Sequence, residues 1–147
     1  MRKTQSVADI LERELLPTIQ EWLRRVNMVP DVTRVPLSDD ERTGHLPKLF
    51  HDLIRRLRLD SDAKPPISIA AAAHGKMRFK QGYTPAMLIE ESRAFQVSTF
   101  GTLHLYQKKL DQNKVLLDVM IIADEVDAQL KETVRSLMEA KRINAAA

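Results

Sequence analysis

The sequence of 147 residues contains no cysteine. This absence excludes disulfide bonds, thiolate metal ligands and a cysteine nucleophile. Glycine is scarce, with four residues, and neither the phosphate loop G-x-x-x-x-G-K-[ST] nor the dinucleotide loop G-x-G-x-x-G occurs. The nucleophile elbow G-x-S-x-G is missing too. We therefore expect a protein that is not an enzyme and that carries no cofactor.

Long apolar runs are missing as well. Behind Arg2 and Lys3, charged residues such as Asp9 and Glu12 interrupt the first apolar stretch, so the sequence predicts no signal peptide. Elsewhere no run of apolar residues is long enough to cross a bilayer. We expect a cytoplasmic protein that has no contact with a membrane.

The chain also lacks a large excess of one charge. It has 23 basic and 20 acidic residues, which gives a net charge of +3. The densest basic cluster, Arg55-Arg56-Leu57-Arg58, is short and is typical of a solvated helix face. These features do not favour nucleic acid as a partner.

Apolar residues at helical spacing are what the sequence has in abundance. The pattern predicts a single domain, residues 1–147, folded as an all-α bundle of about five helices with a long C-terminal helix. A globin-like arrangement without haem is the alternative. We expect Pro17 to kink the first helix. The predicted helices cover residues 7–27, 47–59, 67–81, 85–110 and 112–142, with an extended loop over 28–37 and a short capped turn from residue 38.

The predicted fifth helix carries an apolar seam that is close to a heptad repeat. Its part beyond Leu130 has few core partners elsewhere in the chain. We therefore expect a core of about residues 5–130, a projecting end over 131–147, and a homodimer that pairs through the seam. The seam consists of Leu116, Val119, Ala123, Val126, Leu130, Val134 and Leu137.

The candidate functional site lies at the turn between the third and fourth predicted helices. Gly82 suits the left-handed conformation that ends a helix, and Tyr83 follows it. Thr84 suits the cap of the next helix and Pro85 its first turn. The sequence therefore predicts a tight helical hairpin here.

This hairpin is expected to bring three polar side chains together. His74 and Arg78 lie four residues apart and share one helix face, while Glu91 lies on the same side of the next helix as Leu88 and Phe95. The favoured interpretation is a buried structural network in which Glu91 pairs with the other two. The alternative is a sensor pocket in which Arg78 holds an anionic ligand.

Metal-ligand spacing is not seen. His104 has no histidine or glutamate three or four residues away, and His45 and His51, six residues apart, lie on different helix faces. The sequence predicts no metal site. Haem bound through His74 or His104 is a third and less favoured option.

The hairpin stretch also resembles a known family. Residues 74–83 match the pattern HG-x-x-R-x-x-x-GY, and Leu88 and Glu91 match the L-x-x-E that follows it. These patterns are similar to the N-terminal domain of RsbT co-antagonist (RsbRD-type) proteins, a domain that also precedes many bacterial sensor histidine kinases. Residues 45–50 resemble that family's HLP-x-L-hydrophobic segment, and Trp22 matches a tryptophan of its first helix. Ser92 and Gln96 depart from the family, which usually has Tyr and often Arg there.

The resemblance implies a signal-transduction input or protein-interaction domain of a bacterial stress-response or two-component regulator. Such a domain acts on protein partners. We expect it to work by helix repacking, in which a signal at the hairpin shifts the long fifth helix and, through it, a dimer.

Overall fold

The computed structural model describes residues 3–60 and 62–147 and is all-helical over them, with no β-strand in these ranges. This confirms the predicted all-α bundle with a long C-terminal helix. The helices are α1 (Val7–Arg13), α2 (Leu15–Val26), α3 (Pro30–Thr33), α4 (Asp39–Thr43), α5 (Leu46–Leu57), α6 (Ile69–Lys80), α7 (Pro85–Leu105) and α8 (Val115–Ala146). None of the helices in this part of the chain is both long enough and apolar enough to cross a bilayer.

Local chemistry explains where most helices begin. The Ser6 hydroxyl accepts the Asp9 amide at 3.0 Å and caps α1. Ser38 and Glu41 form a reciprocal capping box at α4. Each of these short polar side chains satisfies backbone donors that a helix cannot pair by itself.

The first predicted helix is broken, as we expected from Pro17. The break lies at Glu14, which ends α1 and begins α2. Pro17 has no N–H to donate to the carbonyl of Arg13, and its ring crowds that carbonyl. The helix therefore ends one turn before the proline.

Two boundaries also differ from the sequence prediction. The expected loop over 28–37 contains α3, in which Pro30 occupies the first turn. The expected fourth helix ends at Leu105 rather than Leu110. Leu110 is buried in extended conformation, and the neighbouring Lys109 carbonyl accepts the Gln5 amide at 2.8 Å. This pairing with the N-terminal segment removes residues 106–111 from the helix.

Helix α8 lies against α6 along an alanine-rich stretch, residues 70–73. Thr133 donates to the Ala71 carbonyl at 3.2 Å, and Ser136 donates to the Ala72 carbonyl at 2.5 Å. Between them, Gly75 lies so close that a Cβ atom there would be 2.2 Å from the Thr133 carbonyl oxygen. The two helices are therefore in backbone contact.

This contact corrects the expected projecting end. Thr133, Ser136 and Leu137 are buried, so the packed body extends to about residue 137 instead of 130. Beyond this packed body, residues 141–147 are all exposed. Much of the predicted heptad seam also packs inside the chain itself. Val126 and Leu137 are buried, while Leu116 is 70% exposed.

Candidate functional site

The hairpin between α6 and α7 has the predicted geometry. Gly82 has φ of +90°, a conformation that strains any residue with a side chain. The Thr84 hydroxyl accepts the Met87 amide at 3.3 Å, and Pro85 occupies the first turn of α7. Tyr83 is buried, and its amide donates back to the Arg78 carbonyl at 2.9 Å. The turn thereby fixes how α6 and α7 meet.

Glu91 is the centre of the buried network that we predicted. Its Oε1 accepts from His74 Nε2 and from Arg78 Nε, both at 3.2 Å. Its Oε2 accepts from Arg78 Nη2 and from the Tyr83 hydroxyl, both at 2.9 Å. A carboxylate has about four acceptor positions, so this one is fully occupied.

Arg78 is equally saturated, although it is 1% exposed. Besides the two bonds to Glu91, its Nη2 donates to the Arg42 carbonyl at 2.7 Å. Its Nη1 donates to Gln81 Oε1 at 2.8 Å and to the Glu41 carbonyl at 3.5 Å. A guanidinium has five N–H groups, and all five are engaged. An anion at Arg78 would have to displace Glu91 or another of these partners.

A second buried arginine extends the network to the α3–α4 region. Arg42 Nη1 donates to the Tyr83 hydroxyl at 2.7 Å and to the Val32 carbonyl at 3.3 Å, while its Nη2 donates to the Val35 carbonyl at 2.5 Å. Burial raises the pKa of Tyr83, and the charge of Glu91 acts in the same direction. Tyr83 therefore stays protonated and connects Arg42 to Glu91.

His45, like Arg42, is a site residue that sequence reasoning missed. Its ring stacks on that of His74 with centroids 3.6 Å apart and planes 6° apart, and Trp22 packs edge-on against it at 5.5 Å. Trp22 itself donates to the Glu91 carbonyl at 3.0 Å. Residue 45 and Trp22, which both belong to the family resemblance, thus meet the hairpin in space.

The charges in this cluster follow from burial and pairing. Burial lowers the pKa of His45 well below its ordinary value, and the nearby His74 and Arg78 add to the effect. Burial also lowers the pKa of His74, against the opposing hydrogen bond to Glu91. For Glu91, burial alone would raise the pKa, but His74 and Arg78 outweigh it and the pKa is lowered. At neutral pH the site holds an ionised Glu91 and two neutral histidines, with the His74 proton on Nε2 because an ionised carboxylate only accepts.

The donor set of His45, His74 and Glu91 is one that a metal ion can use, since the three ligand atoms lie within 4.8 Å of one another. The geometry does not suit it. A metal lies near the plane of each imidazole that binds it, and two stacked, parallel rings share no such position. All four acceptor positions of Glu91 are also occupied. As arranged, His74 is hydrogen-bonded to Glu91, and His45 stacks on His74.

An open groove of about 960 Å³ lies between α5 and α6, beside this cluster. Helix α6 contributes an apolar wall of Ile69, Ala73 and Met77, and α5 contributes a polar wall of Lys48, His51 and Arg55. His45, His74 and Arg78 line its base. The two helices are antiparallel, because His45 meets His74 while Asp52 further along α5 accepts from Ser68 at 2.6 Å.

A small internal cavity lies on the other side of the histidine pair. It measures about 30 Å³, and its lining is mostly apolar, with Leu46, Leu88 and Phe95 beside both histidines and Glu91. Both histidines line the open groove and this cavity, so the stacked pair lies between the two.

Comparison with known proteins finds no match. No protein-family model, no curated protein and no solved structure is similar to this chain at a significant level. The resemblance of the hairpin motif to RsbRD-type domains therefore stays a prediction, and the site has to be understood from its own geometry.

The remaining histidines take no part in the cluster. His51 is exposed on the rim of the groove, and His104 is exposed on α7. Of the sequence-predicted residues, the structure thus brings together His74, Arg78, Tyr83 and Glu91, while Gly82, Thr84 and Pro85 shape the turn that holds them.

Proposed function

We propose that the chain is a signal-transduction input or protein-interaction domain of a bacterial stress-response or two-component regulator. It has no catalytic role, works in the cytoplasm, and acts on protein partners by helix repacking and dimerisation. The observation that carries this proposal is the position of the buried network. On α6, His74 directly precedes Gly75 and Arg78 follows it by three residues. Gly75 is where α6 touches the α8 backbone.

The backbone contact at Gly75 supports mechanical coupling. A polar network on one side of α6 fixes its position, and Thr133 and Ser136 of α8 hydrogen-bond to α6 carbonyls on the other side. Close-packed interfaces of this kind shift between discrete arrangements instead of deforming smoothly. A signal that changes the position of α6 would therefore move α8, which is about 48 Å long at 1.5 Å per residue.

The exposed apolar face of α8 supports dimerisation at a different place from the predicted seam. Leu116, Leu117 and Met120 are 70%, 57% and 61% exposed, and they lie within two turns of the α8 N-terminus. Exposed apolar residues that cluster in this way mark interaction surfaces. We place the dimer contact on this face, since the middle of the seam packs inside the chain.

The basic cluster on α5 supports a partner other than nucleic acid. Arg56 pairs with Asp124 and Glu125, and Arg58 pairs with Asp9 and Glu12. These carboxylates already neutralise the cluster, which leaves little positive field for phosphates.

Sedimentation velocity tests the proposal. We expect the wild-type chain to sediment as a dimer and the Leu116→Glu variant as a monomer, because the new charge would be buried in the contact. Leu16→Glu is the matched control, since Leu16 is 66% exposed on α2, outside this face. A wild-type chain that stays monomeric at high concentration contradicts the proposed route of transmission.

The alternative function, a sensor whose Arg78 holds an anion, has a demanding structural requirement. All five guanidinium donors are engaged, so the ligand would have to replace Glu91 within a buried site. The groove beside the network gives a ligand a more accessible position.

A further inference from the structure

We propose that the groove between α5 and α6 binds a small amphipathic carboxylic acid. The carboxylate would bind at Lys48 and His45, and the apolar part of the molecule would lie along the α6 wall. This inference deepens the proposed function, because it names the class of ligand that an input domain would sense. It rests on the groove's size, its apolar wall and its unpaired polar groups.

The size and one wall of the groove suit an apolar molecule. Its volume of about 960 Å³ lies within the range of small-molecule sites, which is about 300–1,000 Å³. Ile69 and Met77 on α6 are 85% and 53% exposed, and Ala73 lies between them at four-residue spacing. Together they form a continuous apolar stripe that the described part of the chain leaves uncovered.

The other wall offers a place for one negative charge. Within the described residues, no carboxylate lies within ion-pair distance of the Lys48 ammonium, and His45 forms no hydrogen bond with either ring nitrogen. The two residues are three apart at the start of α5 and line the groove together. A carboxylate there could accept a charge-assisted bond from Lys48 and a second one from His45.

The acidic side chains of the lining are for the most part already engaged. Asp52 accepts from Ser68 at 2.6 Å and pairs with Arg55 at 3.4 Å. Glu41 accepts the Ser38 amide in the capping box. Asp40 is exposed on α4, in its first turn, where the helix dipole favours it. Among the described residues of the lining, Arg55 and Arg78 are paired with carboxylates, and Lys48 is the lysine or arginine without such a partner. One such cation suits a monoanion better than a phosphate.

A ligand in this position would reach the network through the histidine pair. His45 stacks on His74, and His74 bonds to Glu91. An occupant that contacts both walls would also hold α5 and α6 at a set distance. The signal would therefore be the position of α6, which the contact at Gly75 passes to α8.

Isothermal titration calorimetry with decanoate tests the proposal. Decanoate combines a ten-carbon chain with one carboxylate, and is used below its micelle-forming concentration. We expect saturable binding of one molecule per chain, about tenfold tighter than that of 1-decanol, because the alcohol lacks the charge. Acetate, which lacks the chain, should not bind measurably. Equal affinities for decanoate and 1-decanol would overturn the carboxylate position.

Two pairs of variants locate the ligand. Lys48→Gln should reduce decanoate affinity about fivefold to tenfold, while Lys80→Gln, an exposed α6 lysine outside the lining, should leave it unchanged. Met77→Glu should abolish binding, while Met28→Glu, at 71% exposure and outside the groove lining, should not. All four side chains are exposed, so thermal melting should show all variants folded. Loss of binding in the controls, or none in Lys48→Gln and Met77→Glu, would refute the site.

Failure of this inference and failure of the proposed function are separable. Binding of decanoate by a chain that sediments as a monomer would keep the ligand site and remove the dimer route. A chain that sediments as a dimer but does not bind decanoate would keep the dimer route and remove the ligand site.

Discussion

At Glu91, four hydrogen bonds converge on one buried carboxylate, and all four come from residues that are themselves buried. Removing single members of this network has unequal effects on stability. Loss of His74 would leave Glu91 paired with Arg78, but loss of the carboxylate would leave a guanidinium buried without a counter-charge. Removing one partner of a buried pair costs more than the pair contributes.

We therefore expect Glu91→Gln to be strongly destabilising, by about 3–5 kcal/mol. The free energy of unfolding from urea denaturation measures the effect. The matched control is Glu139→Gln, which breaks an exposed pair with Arg142 and should leave the midpoint nearly unchanged. The double variant Arg78→Met/Glu91→Leu removes both charges and should recover part of the loss. Equal midpoints for Glu91→Gln and Glu139→Gln would contradict a closed network.

The two stacked histidines predict how stability depends on pH. Their pKa values are lowered in the folded state, so they stay neutral there while the unfolded chain takes up protons below about 6.5. Stability is thus complete above that pH and falls as the pH drops through it. The lowered pKa of Glu91 adds a further loss below the ordinary glutamate range.

For His45 alone we expect a loss of about 1 kcal/mol between pH 7.5 and pH 5.5. Urea denaturation at the two pH values measures it, in wild type and in His45→Gln. The variant should lose less stability than wild type on acidification, and the exposed control His104→Gln should match wild type. A wild-type midpoint that rises on acidification would contradict a neutral histidine pair.

The residues of the site differ in how far the sequence could reveal them. His74, Arg78 and Glu91 could be predicted because helical spacing and one tight turn bring them together. His45 lies 29 positions before His74, and no local rule connects them. The hydrogen bonds of the Tyr83 hydroxyl to Arg42 and Glu91 also depend on tertiary contacts, which residue spacing does not encode.

At the scale of helices, the contact of α6 with α8 depends on one glycine. A methyl group at Gly75 would lie 2.2 Å from the Thr133 carbonyl oxygen and 3.1 Å from the Leu137 amide nitrogen, both of which are backbone atoms. Backbone atoms cannot move aside as the end of a flexible side chain can. The helices would have to separate.

We expect Gly75→Ala to lower the free energy of unfolding by about 1–3 kcal/mol. Gly101→Ala is the matched control in α7, because no atom lies within 4 Å of its Cβ position. This second substitution should stabilise the protein by about 0.5–1 kcal/mol, since alanine favours a helix. Thermal melting of both variants measures the effects, and a Gly75→Ala protein as stable as wild type would refute the backbone contact.

Helix ends and helix partners also differ in how far the sequence reveals them. The caps at Ser38 and Thr84 depend on neighbouring residues, and the sequence predicts them correctly. The seam of α8 shows that one face is apolar, but the period of a seam does not identify what covers it. In the structure α6, α7 and α5 pack against α8, and Leu116 is the seam residue that stays exposed.

At the scale of the whole molecule, the hairpin network and α8 form one mechanical unit. The network includes side chains from α4, α6 and α7 and the turn between the last two, and α6 in turn packs on α8. The last residues of α8, from 141 to 147, are exposed and lie outside this packing. A disturbance at Glu91 should therefore reach residues 130–137 of α8 and leave its end unaffected.

Native-state hydrogen exchange tests this coupling. We expect a milder variant, His74→Gln, to speed amide exchange in α6 and in residues 130–137 of α8, because local opening of α6 exposes the α8 face beneath it. Lys76→Gln, an exposed substitution on the same helix, is the control and should leave all rates unchanged. Faster exchange that stays within α6 and α7 would show that the hairpin opens without α8. The network would then stabilise the fold but could not transmit a signal through the long helix.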